Sequence, residues 1–186
     1  TTEERIVSEL RATGVSVTNI TELFGNEKEI MNSLISYAGF EKKAGRTNAI
    51  KPYITEFFDE MPVVTSSNPY AELALKERVL TIIGNYLGMT PKLYEFTLTE
   101  IKAVPSTGDK TGSMRWHRDP HDRRLCKMFL YLSDVGPENG PFTYLKYSNY
   151  KNKYHTLFPQ KEPAGIYPPD GEVEKHIDLK DIKPCM

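Results

Sequence analysis

Apolar residues recur at helical spacing in the first half of the chain. Ile6, Val7 and Leu10 mark a first helix, with Thr2 as its cap, Glu3 and Glu4 in its first turn and Gly14 as its stop. Ile30, Met31, Leu34 and Ile35 mark a second, capped by Asn26 and closed by Gly39. Leu73, Ala74, Val79, Ile82, Ile83, Tyr86 and Leu87 supply the face of the longest helix, over 70–87, between Pro69 and Gly88. The run 15–20 alternates apolar and polar residues and predicts a half-buried strand. Residues 41–69 have little periodicity and predict an irregular segment with a short helix near 55–58.

After Pro91 the period changes from helical to two. Residues 93–101 predict a strong strand, and 113–117, 125–132, 142–145 and 173–178 predict further ones. A Gly-rich loop lies at 106–112, a tight turn at 136–141 and a long loop at 146–172. Helices first and antiparallel-type strands second predict one domain over 1–186. It is mainly β with flanking helices: a double-stranded β-helix, or jelly-roll, over 91–186 and a helical flank over 1–90. Its final strands are expected beyond Met186.

Composition narrows the classes. A chain of 186 residues can bury one substantial core. The net charge of -1 argues against a generic nucleic-acid binder. No apolar run approaches the roughly 20 residues that span a bilayer. Cys126 and Cys185 are too few for a disulfide framework and lie in no CxxC, so a reducing compartment, the cytoplasm, is expected.

The candidate chemistry centres on Met114-Arg115-Trp116-His117-Arg118-Asp119-Pro120-His121-Asp122. In extended backbone, positions i and i+2 point to one side, so His117 and Asp119 converge. With a second histidine from elsewhere, such a pair makes the 2-His-1-carboxylate arrangement that suits non-haem Fe(II). Three residues alone equally describe a charged surface turn. Trp116 alternates away from His117 and reads as core packing.

The wider context resembles the phytanoyl-CoA dioxygenase-like family of Fe(II)/2-oxoglutarate-dependent oxygenases. The residues that carry the resemblance are Trp116, His117-Arg118-Asp119, the run Phe129–Asp134, Glu138-Asn139-Gly140-Pro141 and Tyr147-Ser148-Asn149, where Asn149 replaces the family's usual histidine. The resemblance is specific over 93–149 and loose elsewhere. It implies that the chain hydroxylates a small molecule with O2, while 2-oxoglutarate is decarboxylated to succinate. It implies His117 and Asp119 as iron ligands. Asp119 also favours hydroxylation over halogenation, because halogenating relatives vacate the carboxylate position. The family's distal histidine and its 2-oxoglutarate-gripping arginine are expected beyond Met186, with His176 and His155 as substitutes within the chain.

A dianionic cosubstrate needs cationic or hydroxyl partners. Lys110, Arg115, Arg118, Arg123, Arg124 and Lys127 cluster around the motif, and a solvated charged loop accounts for them as well. Lys127, Phe129 and Tyr131 share one face by alternation and are cofactor-binding candidates, with Arg124, Tyr94 and Lys102. Lys42, Lys43, Arg46, Lys51, Lys151 and Lys153 could recognise an anionic or carrier-linked substrate or simply solubilise the rim. Neither a nucleic acid nor a membrane is expected as partner. The competing class is a catalytically inactive jelly-roll that serves as a binding or scaffold domain and lacks a complete iron site.

Overall fold

The computed structural model describes residues 1–43, 48–51, 53–58, 64–65, 67–102, 110, 112–119, 124–159 and 167–186, with only the backbone of 48–51. Among the described residues the longer elements are five α-helices and five short strands. Helix α1 (Thr2–Thr13) is capped by Thr1 and ends at Gly14, where φ is +86°. Helix α2 (Ile20–Phe24) is capped by the Asn19 side chain, which accepts from the Glu22 N–H at 2.8 Å. The run 15–20 is therefore not a strand. Its polar side chains bond locally instead: the Ser16 hydroxyl donates to Glu9 and the Thr18 hydroxyl to Glu22, while Thr13 at the end of α1 donates to the Val15 carbonyl. Such bonds compete with a ladder.

Helix α3 (Glu27–Lys43) runs through Gly39 and buries Leu34 and Glu41. The long helix expected over 70–87 is two helices, α4 (Pro69–Ala74) and α5 (Glu77–Leu87). At roughly 100° per residue an unbroken helix would place Leu73 and Ile82 on opposite faces. The break at Leu75–Lys76 lets both be buried. Asn68 caps α4 by accepting from the Tyr70 and Ala71 N–H groups.

The jelly-roll expectation is overturned. The strands are β1 (Asn48–Lys51), β2 (Ile54–Glu56), β3 (Thr99–Ile101), β4 (Thr143–Leu145) and β5 (Ile182–Pro184). They form one antiparallel three-stranded sheet, β1-β2-β3, and one antiparallel pair, β4-β5. The helical content far exceeds the strand content. Alternation assigns a strand its faces, but a ladder also needs a partner edge. Of the alternating run 93–101 only Thr99–Ile101 finds one, and 125–132 joins no ladder. The runs 113–117 and 173–178 begin as single 3₁₀ turns, Gly112–Met114 and Val173–Lys175. Strands β1 and β2 lie where an irregular segment was expected. In the second half the expected strand over 142–145 and turn over 136–141 are present, as β4 and a 3₁₀ turn closed by Gly140.

Among the described residues three clusters of apolar burial stand out. Ile6, Val7, Leu23 and Ile82 join α1, α2 and α5. Phe57, Phe58 and Leu98 pack with Tyr37, Tyr70, Phe96 and Leu132. Leu145, Tyr154 and Val173 pack with Trp116, Tyr147, Leu157, Phe158 and Ile177. Among the described residues no helix is long and apolar enough to cross a membrane.

Candidate metal site at His117 and Asp119

The 3₁₀ turn Gly112–Met114 delivers the motif. It is tied to the first sheet by the hydroxyls of Ser113 and Tyr53, 3.2 Å apart. From Arg115 to Asp119 the side chains alternate although no ladder forms. Trp116 enters the third cluster and donates its indole N–H to Glu174 at 2.7 Å. Arg118 turns to the same region and donates to the carbonyls of Ser148, Tyr154, Leu157 and Phe158. Burial lowers the Arg118 pKa from its ordinary value. These contacts make Arg118 a pin for the loop after β4, not a grip for a cosubstrate.

Arg115 and His117 share the other side. The Arg115 guanidinium lies 5.3 Å from the Tyr167 ring and pairs with Asp170 at 2.9 Å. The His117 ring meets Tyr167 edge-on at 5.9 Å. His117 Nδ1 lies 2.8 Å from the Arg115 carbonyl oxygen. A carbonyl only accepts, so Nδ1 carries the proton of that bond, and Nε2 is the nitrogen left to offer a lone pair to a metal. Nε2 faces Asp119 Oδ1 at 3.9 Å. That separation lies within the roughly 4 Å that two ligand bonds of about 2.1 Å can span. A backbone carbonyl fixing one ring nitrogen so that the other can ligate is a common support for metal-binding histidines. His117 Nε2 and Asp119 Oδ1 could take adjacent positions on one Fe(II) ion only once the pair closes to about 3 Å.

Lys127 completes the local charge arrangement, with Nζ 2.9 Å from Asp119 Oδ1. Among the described residues no group of three His, Cys, Asp or Glu side chains could hold a metal. His155 Nδ1 is bound to the Asn152 carbonyl at 2.9 Å, and its ring meets Tyr150. His176 pairs with Glu172 at 3.1 Å and meets Phe158. Asn149 donates to the Leu10 and Arg11 carbonyls at the end of α1.

The other candidates are dispersed. Phe129 stacks on Phe142 at 4.4 Å. The Tyr131 hydroxyl accepts from the Phe142 N–H and donates to the Cys185 carbonyl, both at 3.0 Å, which latches 131 to the β4-β5 pair. Arg124 lies 3.9 Å from Met89 Sδ. Tyr94 is 60% exposed, and Lys102 follows β3 with its N–H on the Tyr53 carbonyl. Lys42 pairs with Glu100, Lys153 with Asp181, and Lys151 lies over the Tyr150 ring. Lys43 and Lys110 are exposed. Arg46, His121, Arg123 and most of the loop 106–112 lie outside the described residues, as does the Lys51 side chain. Both cysteines are free thiols, and burial raises the pKa of Cys126.

Tyr167 and Glu174 are the neighbours of the motif that sequence reading missed. Tyr167 sits in a Pro- and Gly-rich run, where a lone aromatic carries no periodic signal. Compared with known proteins, the chain matches no family model, no curated sequence and no solved structure.

Proposed function

We propose that this chain is an Fe(II)/2-oxoglutarate-dependent oxygenase that hydroxylates a small molecule. The observation that carries the reading is the facing of His117 Nε2 and Asp119 Oδ1, with the ring tautomer fixed by the Arg115 carbonyl. The resemblance of 93–149 to the phytanoyl-CoA dioxygenase-like family, which includes the same His117-Arg118-Asp119, supports it from the sequence side. The reading does not require a jelly-roll, since it rests on the local path from Gly112 to Asp119. When bound, the iron supplies activation of O2 coupled to decarboxylation of 2-oxoglutarate. His117 and Asp119 hold it. Tyr167 buttresses the His117 ring, and Arg118 anchors the adjoining loop, so that the motif keeps one backbone path. The reading needs a third ligand, which no described residue beside the pair supplies.

An anaerobic titration with Fe(II) and 2-oxoglutarate tests the reading. It should produce the visible band of an iron-bound 2-oxo acid, saturably, and Asp119→Ala should abolish that band. Aerobic incubation should then yield succinate. A folded chain that gives no band overturns the proposal.

A second reading has one observation in its favour. Lys127 satisfies Asp119 directly, and no third ligand stands beside the pair among the described residues. On that reading the chain is a catalytically inactive binding domain, and the Lys127–Asp119 ion pair is structural. It predicts no divalent-metal binding that depends on Asp119.

A further inference from the structure

Lys127 and His117 both address one atom, Asp119 Oδ1, from 2.9 Å and 3.9 Å. Among the described residues Lys127 is also the only lysine or arginine paired with Asp119. Arg115 is occupied by Asp170 and the Pro168 carbonyl, and Arg118 by four loop carbonyls. The ammonium of Lys127 has three donors and no lone pair, so it can balance the carboxylate but cannot ligate. A divalent ion held by His117 and Asp119 would need the same oxygen. We propose that Lys127 is the resident cation of this pair, displaced when a divalent metal binds, and that it thereby sets the metal affinity of the site. The inference rests on the metal reading of His117 and Asp119.

The energetics favour a displaceable cation. The two side chains are 40% and 37% exposed, and ion pairs in contact with water are weak and screened by salt. Lys127 is thus strong enough to hold Asp119 in one position and weak enough to yield to a doubly charged ion. Its four-carbon stem lets the ammonium swing away without a backbone change. Once displaced, it remains beside the site as a positive charge and opposes the metal.

The test is a Mn(II) titration read by the electron paramagnetic resonance signal of the free ion, which needs no turnover. Lys127→Met and Lys127→Gln should both bind Mn(II) more tightly than wild type, by about two- to fivefold at low salt. Lys127→Arg should stay near wild type. The gap between wild type and the methionine variant should narrow at high ionic strength. Circular dichroism establishes that each variant is folded, and the glutamine variant serves if the methionine variant is not. Asp119→Asn should lose the binding in every background.

If wild type binds Mn(II) through Asp119 and neither neutral variant binds more tightly, Lys127 is not the competing cation, and the metal reading survives alone. If the neutral variants keep wild-type Mn(II) affinity but lose affinity for 2-oxoglutarate, Lys127 contacts the cosubstrate and the displacement proposal fails. If no form binds Mn(II), the metal reading falls and takes this proposal with it.

Discussion

Trp116 donates its indole N–H to Glu174 Oε1 at 2.7 Å, and Glu174 Oε2 is buried without a hydrogen-bond partner among the described residues. The carboxylate thus depends heavily on one donor. Removing that donor strands a buried acceptor, at a cost of about 1–3 kcal/mol. Trp116→Phe should lower the unfolding free energy by about that amount. Glu174→Gln should cost far less, because it keeps an acceptor for Trp116 and removes the buried charge. Urea denaturation followed by far-ultraviolet circular dichroism measures both, since Trp116 is the chain's single tryptophan and fluorescence would vanish with it. Equal stability of Trp116→Phe and wild type would show that the bond contributes nothing.

Arg118 holds the loop after β4 through the carbonyls of Ser148, Tyr154, Leu157 and Phe158, at 2.9 to 3.1 Å. A guanidinium presents a planar fork of donors, whereas lysine offers one point charge. Arg118→Lys should therefore fail to restore the loop and should destabilise the protein by about 2–4 kcal/mol, as several charge-assisted bonds are lost together. Limited proteolysis reads the same event locally. Cleavage within 148–158 should appear in Arg118→Lys under conditions that leave wild type intact. An unchanged cleavage pattern would mean that Asn149, Asn152 and the third cluster hold the loop without Arg118.

The alternation from Arg115 to Asp119 was legible in the sequence, although no strand forms there. Period two records which side each residue faces, and that survives without a ladder. Helices α1 and α3, and α5 as the second half of one longer helix, were legible for a similar reason: their apolar stripes, with the glycines that end α1 and α5, are local signals, whereas Thr1 rather than Thr2 caps α1 and α3 runs past Gly39. Strand β4 was legible within 142–145, and β3 as the end of a longer run, but β1, β2 and β5 were not, because a ladder depends on a partner the sequence does not name. Strand β5 is three residues ending in proline, too short to leave a pattern. Lys127 was visible as a face-sharing neighbour of Phe129 and Tyr131, yet its pairing with Asp119 comes from the chain's path. The jelly-roll failed as an expectation because it turned each alternating run into a paired strand.

Tyr70 gives the protein an alkaline limit. Its hydroxyl donates to the Leu34 carbonyl at 2.9 Å, and its ring meets Tyr37 and Phe58 edge-on. Burial, with Tyr37 adding to it, pushes its pKa up to about 12. The unfolded chain releases this proton near pH 10, so above that the unfolded state binds fewer protons than the folded one. The stabilisation is fully present below about pH 10 and is lost as pH rises toward 12, by at most about 1.4 kcal/mol per pH unit. Tyr70→Phe should flatten this part of the stability profile measured by denaturation at stepped pH. An identical alkaline slope in the variant would assign it to other groups.

Gly14 and Gly25 both end helices with left-handed backbone, at φ of +86° and +74°, but only Gly14 lies against neighbours. A Cβ at Gly14 would come within 2.5 Å of the Tyr144 hydroxyl and 3.0 Å of the Asn149 side chain, whereas nothing lies within 4 Å of one at Gly25. Asn149 cannot easily retreat, because its amide donates to the Leu10 and Arg11 carbonyls. Gly25→Ala should therefore cost only the left-handed penalty, about 1–2 kcal/mol. Gly14→Ala should cost that and about 1–3 kcal/mol more from overpacking. Chemical denaturation of the two variants separates the contributions. Equal losses would mean that the α1 terminus and the 144–152 loop part without cost, and that the loop's position owes nothing to this close approach.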